Sequence, residues 1–220
     1  MNEMQTLTEK IYKLRLPGGL FDEAVVRNMF PETSPNARKL LVHRAVSKNE
    51  VLRLKPGLYC LAGDYCRSHP HPFVVAAMLH SPSHISLESA LSYYGLIPEA
   101  VYQITSVTAR RRRSFSTPLG DFSFQRVPSD KPRAGVRLIK VDDERWAFIA
   151  GPLRSIADLI YLRKDVTWDN DGLRFLTVSM CIDEDDLREI PLEDFEEVFN
   201  SLRNQRTRAF LKGLREEIKQ

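Results

Sequence analysis

Residues 34–48 read Ser34-Pro35-Asn36-Ala37-Arg38-Lys39-Leu40-Leu41-Val42-His43-Arg44-Ala45-Val46-Ser47-Lys48. Serine is a strong helix N-cap, and a proline directly after it suits the first helical position, where its missing N–H costs nothing. The pair predicts a helix from Pro35 to about Ser47. Wound at helical pitch, Ala37, Leu41, Val42, Ala45 and Val46 gather on one side, and Asn36, Lys39, His43 and Ser47 on the other. Leu40 falls near the polar side and is the misfit.

After this segment, Val51–Leu54 and Leu58–Leu61 are short extended runs joined by the turn Lys55-Pro56-Gly57. Upstream, Leu7, Ile11 and Leu14 recur at helical spacing within 4–14, and Pro17-Gly18-Gly19 stops that segment. A second helix is expected over 22–30, capped by Asp22 and ended by Pro31. Two helices, a third with a polar flank, then a basic hairpin is the order of a winged helix-turn-helix.

Residues 63–72 hold Gly63, Pro70 and Pro72 and are expected to form a linker. The expected organisation is therefore a DNA-binding domain over 1–62, the linker, and a larger α+β domain over 73–220. In that second domain helices are expected over 72–80 and 87–94, the latter capped by Ser86 and ended by Gly95. Strands are expected at Tyr102–Thr108, Arg113–Thr117, Asp121–Val127, Val136–Val141 and Trp146–Ile149, forming a small antiparallel sheet. Amphipathic helices follow around 153–164, around Phe195–Leu202 and around Phe210–Ile218.

Hydrophobic residues make up 43% of the chain and charged residues 28%, enough to bury a core. No apolar run approaches the roughly 18–20 residues that span a bilayer, and Met1–Arg15 lacks the features of a secretory signal. Cys60, Cys66 and Cys181 do not form a disulfide pattern. A cytoplasmic protein without membrane partners is expected. The net charge of +3 is too small to argue for nucleic acid alone, so its distribution matters more. Basic residues gather over 38–55, at Arg110–Arg113 and over Arg203–Lys219; acidic residues gather over Asp183–Glu197.

The helix at Pro35 and the hairpin suit duplex DNA. Ser34 and the first helical N–H groups suit phosphate. Asn36 and Lys39, with His43 one turn on, sit where base edges are read: Asn pairs with adenine, Lys donates to guanine. Leu40 can meet a thymine methyl or pack under the hairpin. Arg38, Arg44 and Lys48 are assigned to phosphate, and Arg53 and Lys55 place charge on the hairpin. The Arg110, Arg111, Arg112, Arg113 run is either a second patch for nucleic acid or an acidic partner, or a solvated turn.

Enzyme signatures are not found. Gly18-Gly19 lacks the following Gly-Lys-Ser/Thr of a phosphate loop, and there is no Gly-x-Ser-x-Gly elbow. Cys66, His69 and His71 lack a second ligand pair at zinc spacing. The Asp183–Asp186 acids read as a helix start. No metal, cofactor or catalytic residue is expected. Two competing classes remain: a nucleic-acid-processing enzyme using Glu88, Asp121 and Asp142 as metal ligands, and a protein-interaction module.

Three stretches carry a resemblance: Leu54-Lys55-Pro56-Gly57-Leu58-Tyr59; Ile85-Ser86-Leu87-Glu88-Ser89-Ala90-Leu91-Ser92-Tyr93-Tyr94-Gly95-Leu96-Ile97-Pro98; and Ile104–Thr108 leading to Arg113-Ser114-Phe115 and Thr117-Pro118-Leu119-Gly120. With them the chain resembles the AbiEi-type antitoxins of type IV toxin–antitoxin (abortive infection) systems over about residues 5–125, and the helix at 152–163 is similar. The resemblance implies an N-terminal winged helix that represses its own operon. It also implies a C-terminal domain that opposes a nucleotidyltransferase-like toxin. A solitary regulator that kept the fold without a toxin partner is the alternative within that resemblance.

Overall fold

Capping side chains set the first three helices. In the computed structural model, which describes residues 6–98 and 102–218, helix α1 (Leu7–Lys13) starts at a reciprocal box. Thr6 Oγ1 accepts from Glu9 N, and Glu9 Oε2 accepts from Thr6 N. Met4 and Gln5 of the expected first helix lie outside the described residues. Asp22 Oδ1 accepts from the amides of Ala24 and Val25 at 2.9 and 3.0 Å and opens α2 (Glu23–Met29). Ser34 Oγ accepts from Ala37 N at 3.3 Å and opens α3 (Pro35–Ser47).

Between and after these helices lies a three-stranded antiparallel sheet of β1 (Leu20–Asp22), β2 (Val51–Lys55) and β3 (Leu58–Leu61), in the order β1-β3-β2. The three-residue β1 is too short to show alternation in the sequence. Gly57, at φ 81°, makes the tight turn between β2 and β3, a conformation that favours glycine. One face of this sheet, through Phe21, Val51, Tyr59 and Leu61, closes a core with Leu7, Ile11, Val26, Val42 and Ala45 of the helices.

The other face does not meet solvent. Leu20, Leu54, Leu58 and Cys60 join a second core with Phe73, Val75, Ala76 and Leu79 of α4 (Pro72–Leu79) and with Phe122, Phe124 and Ile149 of the larger sheet. Alternation along β2 and β3 thus serves two cores at once, which keeps both faces apolar. Burial pushes the Cys60 thiol up to about 12. The segment expected as a linker, 63–72, is mostly exposed and touches the rest of the protein at a few points. It holds a short 3-10 turn at Gly63–Tyr65, Arg67 stacks over the Tyr12 ring at 4.0 Å, Arg145 Nη2 donates to the His69 carbonyl at 3.2 Å, and Pro70 is buried.

The larger sheet has six strands: β4 (His84–Ile85), β5 (Gln103–Thr108), β6 (Arg113–Thr117), β7 (Gly120–Arg126), β8 (Val136–Lys140) and β9 (Trp146–Ala150). Their order is β6-β7-β5-β4-β9-β8. The β5–β7 and β4–β9 pairs are parallel and the others antiparallel, so the expected small antiparallel sheet is corrected to a mixed one. The six-residue β5–β7 pairing alone makes the sheet mixed, and β4 adds the second parallel pair. The two residues of β4 carry no periodicity, yet they sit at the centre of the sheet and join its halves.

A helical layer covers the remaining core. It comprises α5 (Glu88–Tyr93), α6 (Pro152–Leu162), α7 (Trp168–Arg174), α8 (Glu184–Arg188), α9 (Leu192–Phe199) and α10 (Gln205–Glu217). Leu91, Ile156, Ile160, Leu187, Phe195, Val198, Phe210 and Leu214 meet there. The polar segments that form α7 and α8 show no apolar repeat in the sequence. Asp183 Oδ1 accepts from Asp185 N at 2.9 Å, so this acidic run does start a helix.

Ser86 is not the cap of α5. Its hydroxyl donates to Asp158 Oδ2 at 2.8 Å, and the residue at the cap position is Leu87, at φ 61°. A leucine with positive φ is strained. Its buried side chain and the anchored Ser86 before it hold the strained conformation in place. Among the described residues no helix is long and apolar enough to cross a membrane.

Candidate nucleic-acid interface

Helix α3 buries Val42 and Ala45 and leaves Asn36, Lys39, His43 and Ser47 open. Lys39, His43 and Ser47 look onto a groove of about 540 Å³ closed on its far side by the β2–β3 hairpin. Lys39, His43, Ser47, Arg53, Gly57 and Tyr59 line it. Arg53 is exposed and pairs in register with Tyr59, so its guanidinium stands on the groove side of the hairpin. His43 Nδ1 lies 3.1 Å from Ser47 Oγ, one turn along the same flank. The amide of Glu23 donates to the Gly57 carbonyl at 3.2 Å and ties the hairpin tip to the start of α2. The hairpin tip and α2 are therefore tied to each other.

The other expected site residues separate into groups. Ser34 spends its hydroxyl on the Ala37 amide, Pro35 has no N–H and Arg38 N donates to the Ser34 carbonyl, which leaves the Asn36 amide at this exposed helix end. Arg38 does not face the groove. Its guanidinium donates to the carbonyls of Phe30, at 3.2 Å, and Thr33, and braces the turn between α2 and α3. Arg44 and Lys48 are exposed on the opposite flank of α3, beside a second groove lined by Leu40, Leu41 and Glu50. Leu40 is 48% exposed on the ridge between the two flanks.

Lys55 also departs from the expected role. Its Nζ donates to the carbonyls of Met78 and Leu79, at 3.0 and 2.6 Å, and closes the C-terminal end of α4. Cations are favourable there because the last helical carbonyls lack partners. Burial, and then the charge of Arg113, lower its pKa. Lys55, expected to place charge on the hairpin, thus bridges the hairpin to α4.

Arg110, Arg111, Arg112 and Arg113 are exposed where β5 passes into β6. Arg110 N donates to Thr108 Oγ1 at 3.1 Å, and Thr108 Oγ1 donates to the Pro82 carbonyl at 2.8 Å. His80 Nε2 lies 3.2 Å from the Arg111 carbonyl, and since a carbonyl only accepts, this nitrogen carries the proton. Burial lowers the His80 pKa against the pull of that carbonyl, and Arg113, Arg110 and Lys55 lower it further.

The residues weighed for metal chemistry do not assemble. Cys66 Sγ lies 3.9 Å from His69 Nδ1, while His71 Nδ1 accepts from Phe73 N at the start of α4. Asp142 is paired with Arg145 at 2.6 Å. Burial alone would raise its pKa, but the Glu144 amide and then Arg145 bring it below the usual carboxylate range. Among the described residues no three His, Cys, Asp or Glu side chains are grouped to hold a metal ion.

The sequence did not reveal one cluster. Arg154, Asp158, Ser86 and His84 form a buried polar network between β4 and α6. Arg154 and Asp158 stand one helical turn apart, which is a signal, but nothing local shows that the turn is buried. No protein-family model matches the sequence, and no curated protein matches it.

Proposed function

We propose that this chain is a cytoplasmic DNA-binding regulator whose first 62 or so residues form a winged helix-turn-helix. In this proposal α3 is the recognition helix and the β2–β3 hairpin is the wing. The observation that carries it is the open flank of α3, on which Asn36 is exposed and Lys39 and His43 face a groove whose other wall bears Arg53. An α-helix about 10–12 Å across fits the major groove of B-DNA, about 12 Å wide. Asn36 and Lys39 then meet base edges from the first turns of α3. Arg53 meets backbone beside the groove, and Arg44 and Lys48 lie toward the phosphates on the opposite flank.

The second, larger unit acts by binding rather than by catalysis. The resemblance to AbiEi-type antitoxins adds the biological role: repression of its own promoter, and opposition to a nucleotidyltransferase-like toxin made from the same operon.

The test is titration of the full chain with the duplex upstream of its own gene, against scrambled duplex, at about 50 and about 200 mM salt. Selective binding that weakens steeply with salt supports the proposal. No binding to either duplex at the lower salt overturns it. A protein-interaction module predicts that second outcome.

A further inference from the structure

Two members of the buried polar network between β4 and α6, His84 and Arg154, also border a cavity of about 80 Å³. Pro82, Val107, Val127 and Pro132 give this cavity apolar walls, and the exposed Arg133 borders it as well. Among the described residues no Asp or Glu lines it. We propose that the cavity binds a short aliphatic carboxylate, with the carboxylate on Arg154 and His84 and the chain against Val107 and Val127. The proposal stands apart from the duplex-DNA reading, since no residue of α3 or of the β2–β3 hairpin lines the cavity.

The two inner groups have hydrogen-bonding capacity to spare. Arg154 spends Nε on Asp158 and Nη1 on the Ala134 carbonyl, which leaves Nη2 as its unused donor. His84 is 8% exposed, and its Nε2 is closed off from solvent with no hydrogen-bond partner. That nitrogen stands 3.6 Å from Asp158 Oδ2, and the two Asp158 oxygens already accept from Arg154 and Ser86. Buried polar groups are ordinarily satisfied, so an unpartnered one calls for an acceptor.

Charge points the same way. Asp158 answers the charge of Arg154, whereas Arg133 belongs to none of the ion pairs among the described residues. Its guanidinium rests 3.5 Å from the centre of the Phe148 ring. The cavity therefore has one cation in excess, which one negative charge balances.

Size and wall chemistry choose among anions. A water needs about 10–15 Å³ of such space, so the cavity admits about six heavy atoms. Phosphate would bury four oxygens among walls with few donors, and buried oxygens without partners are costly. The Thr108 hydroxyl adds none, because its proton goes to the Pro82 carbonyl. A carboxylate brings two oxygens for Arg154 and His84, and its chain gains from burial against Pro82, Val107 and Val127. Butyrate is of this size.

The experiment titrates the full chain with sodium butyrate at constant ionic strength and follows backbone amide shifts by NMR. Sodium phosphate and n-butanol are the comparison probes. Saturable shifts at Val107, Thr108, Ala109, Val127 and Arg133 are expected with butyrate, and not with the other two. Arg133→Gln, at an exposed position, is expected to weaken butyrate several-fold and leave the unliganded spectrum otherwise unchanged. Val127→Leu, which adds volume to an apolar wall, is expected to weaken it as well. Arg154→Gln is avoided because it breaks the buried pair with Asp158.

The absence of saturable shifts up to about 50 mM butyrate would overturn the proposal. Equal binding of n-butanol would overturn the role of Arg154 and His84, and preferential binding of phosphate would overturn the carboxylate. Butyrate binding that neither substitution weakens would place the ligand elsewhere. None of these results bears on the DNA titration.

Discussion

Arg154 Nε donates to Asp158 Oδ1 at 3.0 Å, and both side chains are closed off from solvent. The second carboxylate oxygen and the guanidinium Nη1 are also engaged. Ser86 Oγ donates to Asp158 Oδ2 at 2.8 Å, and Arg154 Nη1 donates to the Ala134 carbonyl at 2.8 Å. His84 Nε2 stands 3.6 Å from Oδ2, outside hydrogen-bonding distance. Through these contacts α6 is pinned to β4, the strand that joins the halves of the large sheet.

Removing one partner of a buried ion pair leaves the other charge uncompensated, at a cost of about 3–5 kcal/mol. Asp158→Ala is expected to lower the unfolding free energy by that amount in urea titration. Arg188→Ala, which breaks exposed pairs with Glu184 and Asp185, is expected to cost about 0–1 kcal/mol. Equal effects from the two substitutions would show that the buried network contributes no more than a surface pair.

The same carboxylate sets a pH dependence. Burial alone would raise the Asp158 pKa; the Arg154 charge, then His84 and Ser86, reverse this and hold it below the ordinary range. A folded-state value below the unfolded value means that the stabilisation is complete above the unfolded carboxylate pKa of about 4. It is lost as pH falls through the lower folded value. The unsubstituted chain should lose stability over that acid window, and Asp158→Asn should lose less there, as followed by circular dichroism on acid titration.

Gly213 lies inside α10, where alanine would ordinarily gain about 1 kcal/mol. A Cβ there would overlap the Trp168 indole, which rests edge-on against Phe210 at 5.2 Å between ring centres. Overpacking costs about 1–3 kcal/mol. Gly213→Ala is therefore expected to lower the thermal midpoint, contrary to helix propensity. A raised midpoint would mean that the indole moves aside freely.

Lys55 and Arg53 are two residues apart and should fail differently. Lys55→Met removes the donor to the Met78 and Leu79 carbonyls and should reduce stability by about 1–3 kcal/mol, the range for a charged hydrogen bond. Arg53→Ala should leave stability unchanged and weaken binding to all duplexes alike, with the salt slope reduced by about one. Chemical denaturation and DNA titration of the two variants separate the effects.

On α3 the contrast falls between neighbours. Arg38→Ala breaks the brace to Phe30 and Thr33 and should lower stability. Lys39→Ala touches no such contact and should relax sequence preference with stability unchanged. If Lys39→Ala weakens all sequences equally, it contacts phosphate and not bases.

The start and end of α3, the Asp22 cap and the hairpin turn at Gly57 were legible because each is decided within a few residues. Proline after an N-cap serine, or a glycine forced to positive φ, acts on the adjacent backbone whatever the rest of the chain does. The apolar flank of α3 follows from spacing for the same reason. Ser86 shows the limit. As a serine before a helical run it has the local signature of a cap, yet a carboxylate 72 positions away takes its hydroxyl. Lys55 reads as a hairpin cation until α4 arrives 23 positions later with unpartnered carbonyls.

What the sequence settled by itself was therefore local: where helices begin, where the chain turns, and which side of α3 stays polar. Tertiary structure alone decided that β4 joins the large sheet, that the hairpin's back face is buried, and that β2 lies against β6. Those outcomes depend on which distant surfaces meet. A two-residue strand or a lone charge carries no periodic signal of its partner, because the free energy that places it comes from contacts absent until the chain has packed.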